Sequence, residues 1–188
     1  MSEFKKFNEV LNPTSTILLI IDIQERILPV IHNHQNVVEN TLKLIKGFKV
    51  INLPIFYTEQ YPKGLGPTMP ELKIQLSVAE YFEKMSFSCF GASNLFSKFR
   101  ENKKSQIVIA GVETHVCVQQ TVLDLLENNF QVNVAADAVS SRRENDYRIA
   151  LDRMRSHGAE ITTHESILFE LLNVCGTDTF KQVSKIVK

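Results

Sequence analysis

The stretch Gln106-Ile-Val-Ile-Ala-Gly-Val-Glu-Thr-His-Val-Cys-Val-Gln-Gln120 decides the fold of this chain. Ile107, Val108, Ile109 and Ala110 form a short apolar run rich in β-branched residues, which suits a strand buried on both faces of a parallel sheet. Gly111 ends that run. From Val116 the apolar spacing changes: Val118, Val122, Leu125 and Leu126 fall on one helical face, and Asn129 is a left-handed stop. The chain therefore turns from strand to helix around Cys117. A thiol at a helix N-terminus feels unpaired backbone N–H groups and the positive end of the dipole, both of which favour the thiolate. Cys117 is thus a candidate nucleophile, and the competing reading is a small buried hydrophobe.

The same alternation continues on both sides. Residues 16–23 read as a central strand, apolar on both faces until Asp22 places a carboxylate at its C-terminal end, where open α/β sheets bind ligands. The competing role for Asp22 is capping of backbone N–H groups. Residues 35–51 read as a helix with Val38, Leu42, Ile45 and Phe48 facing inward, and residues 53–57 as a second strand with Pro54 at its beginning. Pro62, Gly64, Gly66 and Pro67 mark residues 58–68 as a long loop after a strand's C-terminal end, a place where sites are built. Residues 71–77 fit a helix or a strand. Residues 81–87 read as an extended segment carrying Lys84, and Ser93 as the cap of a helix through Leu95, Phe96 and Phe99.

Downstream, residues 131–136 read as a strand ending at Asp137. Ser141-Arg-Arg-Glu144 has a capping-box pattern before a helix with Ile149, Leu151 and Met154 as its apolar positions and Gly158 as terminator. Residues 159–163 are the last strand. Thr162-Thr-His-Glu165 is a second capping-box pattern, before an amphipathic helix through Ile167, Leu168, Leu171 and Leu172, and a final short helix starts near Asp178. Strands alternating with helices require crossover connections, so the expected class is α/β with a mostly parallel open sheet. Residues 1–13 form an arm whose Phe4, Phe7 and Val10 could lay a helical turn over the domain until Pro13 stops it.

Composition excludes several classes. With 188 residues, 44% hydrophobic and 22% charged, one globular domain over residues 1–188 is expected. Lys and Arg number 21 and so do Asp and Glu, so no global field attracts nucleic acid or an anionic membrane. The three cysteines, Cys89, Cys117 and Cys175, cannot all pair, and no apolar run approaches the ~20 residues of a spanning helix. The expectation is a soluble protein of the reducing cytoplasm.

Three segments, taken together, resemble the isochorismatase-like cysteine hydrolases, the superfamily of the nicotinamidases and N-carbamoylsarcosine amidase. Gly111-Val-Glu-Thr-His-Val-Cys117-Val is similar to its nucleophile segment, Leu18-Leu-Ile-Ile-Asp22-Ile-Gln24 to the strand that delivers its aspartate, and Glu83-Lys84-Met-Ser-Phe-Ser to the segment carrying its lysine. Thr58-Glu-Gln-Tyr-Pro-Lys-Gly-Leu-Gly66 and Asp137-Ala-Val-Ser-Ser-Arg142 resemble the branch of isochorismatase domain-containing proteins.

The resemblance implies a three-layer α/β/α fold and a triad of Asp22, Lys84 and Cys117. In it Asp22 takes the thiol proton and passes it to the leaving amine, and Lys84 holds Asp22 and the thiolate by charge, where the bare residue would read as a surface lysine. It further implies oxyanion donors at the backbone N–H groups of Glu113 and Cys117, a cis peptide between Val112 and Glu113, and a substrate pocket that draws on Gln24, Glu59, Gln60, Tyr61 and His115. His115 is ranked as a pocket or interface residue ahead of a catalytic one. Nicotinamidases carry an Asp-x-His element with further histidines after the second strand, whereas residues 58–64 here contain no histidine. The expectation is therefore no metal and no cofactor. Siderophore-pathway isochorismatases lack the nucleophilic cysteine, so Cys117 tilts the chemistry towards amides. The expected function is hydrolysis of a small C–N bonded substrate through a thioester at Cys117, by a homo-oligomer. A second reading is a catalytically silent oligomeric protein that binds a small molecule in the same pocket.

Overall fold

The computed structural model describes residues 9–188, so Phe4 and Phe7 of the N-terminal arm lie outside the described residues. Strands β1 (Thr16–Ile21), β2 (Ile55–Gln60), β3 (Glu80–Lys84), β4 (Gln106–Val112), β5 (Gln131–Ser140) and β6 (Glu160–Thr162) form one six-stranded sheet in the order β3-β2-β1-β4-β5-β6. Every pair is parallel. The helices are α1 (His34–Ile51), α2 (Pro62–Leu65), α3 (Pro70–Gln75), α4 (Leu95–Glu101), α5 (Gln119–Glu127), α6 (Glu144–Ser156), α7 (His164–Leu172) and α8 (Asp178–Val187).

Side-chain alternation along the strands divides the core into two layers. Leu18, Ile20, Val108 and Ala110 pack with Val37, Leu44 and Phe48 of α1, Ile167 and Leu168 of α7, and Val183 of α8. Their neighbours Ile17, Leu19, Ile107 and Ile109 point the other way, against Phe96 and Phe99 of α4, Val122 and Leu125 of α5, and Met154 of α6. A strand buried on both faces needs apolar residues at every position, and both β1 and β4 are buried throughout. The result is the three-layer α/β/α architecture that the family resemblance implies.

In this strand order β1 and β4 are neighbours whose chains leave towards opposite ends of the sheet. Such a switch point opens a crevice at the strands' C-terminal ends. Asp22 follows β1 and Cys117 follows β4, so the order alone sets the two residues on either side of that crevice. Gly111 makes the close approach possible. It pairs with Ile21, has φ of 131°, and a Cβ there would lie 2.1 Å from the Ile21 carbonyl oxygen. Gly111→Ala should cost about 3 kcal/mol, combining an unfavourable left-handed φ with overpacking against backbone. Urea unfolding measures this, and a loss below ~1 kcal/mol would show that the two strands can separate easily.

Several elements differ from the sequence reading. The buried face of α1 is Val37, Thr41, Leu44, Ile45 and Phe48, with Val38 and Leu42 only partly covered. The helix is rotated because it packs against α7 and α8 as well as the sheet. β2 begins after Pro54 and runs through Thr58, Glu59 and Gln60, so the loop is shorter than expected and contains α2. Of residues 71–77, 71–75 resolve as helix within α3 and the last two turn out of it. Asn94, in the left-handed region, precedes α4 in place of Ser93. β5 extends past Asp137: Ile109 pairs with Val134 but Gly111 with Val139, so extra residues bulge out there and Asp137 turns to His164. Ile149 is exposed, and the inward face of α6 is Ala150, Leu151 and Met154. Neither capping box forms as read. Arg143 stands at the N-cap of α6 with no side-chain bond, and at α7 the cap is Thr163, which accepts from the Ser166 N–H.

Candidate active site

Asp22 leaves β1 with φ of 54°, a left-handed turn that lifts its carboxylate off the strand and into the crevice. The side chain is 3% exposed. Its Oδ1 accepts from Thr58 Oγ1 at 2.7 Å and its Oδ2 from Lys84 Nζ at 2.6 Å. Lys84 closes β3, paired in register with Gln60 of β2. Its ammonium also donates to the Phe87 carbonyl at 2.9 Å, the Ser86 carbonyl at 3.2 Å and Gln60 Oε1 at 3.4 Å. A charge buried this far survives only if paired and hydrogen-bonded, and both conditions hold. Lys84 is a member of the site and not a surface charge.

Cys117 sits in a wide π-helical turn, Thr114–Val118, which joins β4 to α5. Such turns recur where backbone geometry serves a site. The peptide between Val112 and Glu113 is cis. Cys117 Sγ donates to Gln60 Oε1 at 2.9 Å. Burial raises the pKa of this thiol, and the adjacent Asp22 carboxylate raises it further, more than Lys84 lowers it. The helix-terminus argument for a standing thiolate is therefore overturned. Desolvation at a buried sulfur and a neighbouring negative charge outweigh the dipole, so the free site holds a thiol. Burial likewise raises the pKa of Asp22 against the opposing charge of Lys84. Burial is the largest influence on Lys84 and opposes its ammonium, but the charge of Asp22, those of Cys89 and Cys117, and the hydrogen bond to Asp22 together outweigh it and the net shift is upward.

The proposed pocket residues divide. On β2, Thr58 and Gln60 point into the crevice and Glu59 points away, as strand alternation demands. Glu59 Oε1 accepts from Thr68 N at 2.7 Å, Thr68 Oγ1 at 2.8 Å and Lys73 Nζ at 3.3 Å, so it anchors the following loop and does not line the site. Tyr61 is exposed and its ring lies over Gly64. Gln24, fully buried, ties Gln60 in place: its Oε1 accepts from the Gln60 N–H at 2.8 Å, and its Nε2 donates to the carbonyls of Gln60 and Gly66 at 3.0 and 2.7 Å. It supports the site from behind. His115 Nδ1 lies 3.0 Å from Ser141 Oγ, and the Glu113 carboxylate accepts from Arg142 Nε at 3.1 Å, so two side-chain contacts pin the turn to the end of β5.

Two members were missed from sequence. Thr58 was read as the start of a loop, although its spacing from Gln60 would have set both on one strand face. Cys89 is fully buried, with Sγ 3.9 Å from Thr58 Oγ1 and its N–H bonded to Thr121 Oγ1, which donates to the Cys117 carbonyl. Burial pushes its thiol up to about 12, with the Asp22 charge adding to the rise. Among the described residues no group of three or more His, Cys, Asp or Glu side chains is placed to hold a metal ion. No helix there is long and apolar enough to cross a membrane.

A carboxylate, an ammonium and a thiol thus converge from the ends of three strands. The family model described as isochorismatase domain matches residues 16–166. The chain is similar to isochorismatase domain-containing protein 2 of Danio rerio, with 37% identity over 94% of this chain and 89% of that protein. Among solved structures it is similar to one described as the MAR1 ribonuclease of Caenorhabditis elegans, with a TM-score of 0.89, 35% identity, and 95% and 92% of the two chains covered. The YcaC gene product of Escherichia coli, described as an octameric hydrolase of unknown specificity, superposes with a TM-score of 0.90 at 28% identity, covering 97% of this chain and 91% of that one.

Proposed function

The chain belongs to the isochorismatase family, and from that premise we propose that it is a metal-independent cysteine hydrolase of a small C–N bonded substrate, with Asp22, Lys84 and Cys117 as its catalytic residues. The observation that carries this reading is the buried Asp22–Lys84 pair facing the Cys117 thiol across the crevice. Such a pair is costly to bury for stability alone, and its cost makes sense where proton transfer is needed. Raising the pKa of Asp22 makes it a stronger base once ionised, suited to take a proton from a thiol on demand. The thiolate then attacks the substrate carbonyl and the proton goes to the departing amine. Water, deprotonated by Asp22, releases the acid from the thioester. The N–H groups of Glu113 and Cys117 are the proposed oxyanion donors.

The assembly is proposed to be a homo-oligomer, supported by the octameric description of the Escherichia coli neighbour and by exposed Met85, Phe87 and Phe90 in the loop after Lys84. Three free cysteines suit a reducing cytoplasm.

A panel of small amides and ureides, scored for ammonia or amine release, tests the activity. RNA belongs on the same panel because several neighbours are described as MAR1 ribonucleases. The balance of 21 basic and 21 acidic residues gives a polyanion no general attraction, and the amide arm is the one expected to respond. Quenched reactions should show an acyl adduct on Cys117 by peptide mass, and Cys117→Ser should lose both adduct and product. Turnover without any adduct, undiminished in Cys117→Ser, removes the thioester mechanism. The protein should also carry no stoichiometric transition metal after dialysis, and chelator should leave hydrolysis intact. About one zinc, iron or manganese per chain in elemental analysis would overturn that part.

A further inference from the structure

Gln60 touches both the Cys117 thiol and the Lys84 ammonium. Its Oε1 accepts from the Cys117 thiol at 2.9 Å and from Lys84 Nζ at 3.4 Å. None of the described residues accepts from its Nε2. The backbone of Gln60 is held on both sides by Gln24, so freedom at this residue is confined to the side chain. The bond to sulfur suits a thiol only. Once the proton leaves, a carbonyl oxygen at that distance faces a negative sulfur with no hydrogen between them, and the contact becomes repulsive.

We propose that Gln60 is a positioning residue whose terminal amide turns over during the reaction, holding the thiol proton in the free site and donating Nε2–H to the thiolate in the attacking one. This rests on the cysteine-hydrolase reading. A half-turn of the terminal amide exchanges Oε1 and Nε2 without moving other atoms. In the step itself the S–H bond of Cys117 breaks, an O–H bond forms on Asp22, and the electron pair stays on sulfur. Lys84 then shares its charge between a neutral Asp22 and the thiolate. The turn deprives Lys84 of one acceptor, the longest of its four bonds, and leaves it Asp22, Ser86 O and Phe87 O. The charged or titratable groups facing Cys117 are Asp22 from the end of β1, Lys84 from β3 and Cys89 from the loop beyond it.

The two jobs predict opposite signs when the amide is removed. If Gln60 only accepts the thiol proton, its loss frees the thiol and speeds alkylation. If it turns and donates, its loss raises the thiol pKa and slows it. The test is the rate of iodoacetamide addition to Cys117, read by peptide mass on the full chain from pH 6 to 10. Gln60→Met, similar in length and without a donor, should react about tenfold more slowly at pH 8, with the midpoint of its profile about one unit higher. Gln60→Glu keeps the shape and the acceptor but adds a negative charge, and should be slower still. A Gln60→Met protein that reacts as fast as the unaltered chain or faster overturns the proposal. Should that variant fail to fold, an unshifted profile in Gln60→Glu does the same. Failure of the underlying reading looks different: the unaltered chain itself would then show no titrating reactivity at Cys117 across the range.

Discussion

Asp22→Asn is expected to speed alkylation of Cys117 at neutral pH by about tenfold while lowering turnover by about a thousandfold, two effects of opposite sign from one atom. The fold should tolerate it. Asn is isosteric, its Oδ1 can still accept from Lys84, and its Nδ2 can donate to Thr58 Oγ1, which now donates to Asp22 at 2.7 Å. What changes is charge. After burial, the Asp22 carboxylate is the largest influence holding the proton on Cys117, and Lys84 pulls the other way. Removing the carboxylate takes away the largest charge opposing the ammonium beside the sulfur, so the thiolate becomes more populated.

The same substitution removes the group that receives the thiol proton and returns it to the leaving amine, and general acid–base catalysis typically supplies 10²–10⁴-fold. Rates of iodoacetamide labelling mapped by peptide, beside product release on whichever amide responds, separate activation from catalysis. Cys89, fully buried with its thiol pushed up to about 12, should stay unlabelled in the folded protein, and exposed Cys175 serves as an internal reference. An Asp22→Asn protein that labels more slowly than the unaltered chain, or that retains most of its turnover, would show that Asp22 is a structural cap.

How much of this was legible in the sequence depends on whether burial entered the argument. Strand placement was legible because β1 and β4 are apolar at every position, a pattern that only a doubly covered parallel strand needs. The end of the first strand gave Asp22, the strand-to-helix change gave Cys117, and Lys84 came from the family resemblance. The ionisation state of Cys117 was not legible. A dipole argument uses local sequence alone, whereas desolvation and the Asp22 charge come from residues distant in the chain that meet only after folding. Glu59 and Gln60 show the same limit at smaller scale. Read as a loop, both were pocket candidates; as a strand, alternation admits Gln60 and turns Glu59 to Thr68 and Lys73. The capping patterns failed for another reason. Ser141 is engaged by His115 instead of α6, since tertiary contacts compete for a hydroxyl as effectively as a helix end does.

Lys84→Met should destabilise the protein by about 3–5 kcal/mol at pH 8, because it leaves a buried carboxylate with no counter-charge. Lys84 is 3% exposed, and with it go the ion pair to Asp22 and the bonds to the Ser86 and Phe87 carbonyls that shape the loop carrying Cys89. The loss should depend on pH with a definite sign. Burial raises the pKa of Asp22 even with Lys84 present, and without it only the hydrogen bonds from Thr58 and Cys117 oppose that upward push. A group with a raised folded-state pKa contributes stability that is fully present below its unfolded pKa and is lost as pH rises through the folded value. The variant should therefore lie nearest the unaltered protein in acid, fall away as pH climbs past the ordinary carboxylate range, and level off once Asp22 ionises in the folded state. At Cys117 the effect is opposite to that of Asp22→Asn: with the Lys84 charge gone, the thiol pKa rises and labelling slows. Urea unfolding at a series of pH values from 4 to 9 measures the first effect and peptide-mapped alkylation the second. A variant whose deficit is constant across that range would place Lys84 outside the field of Asp22, and one that labels faster would remove it from the activation of Cys117.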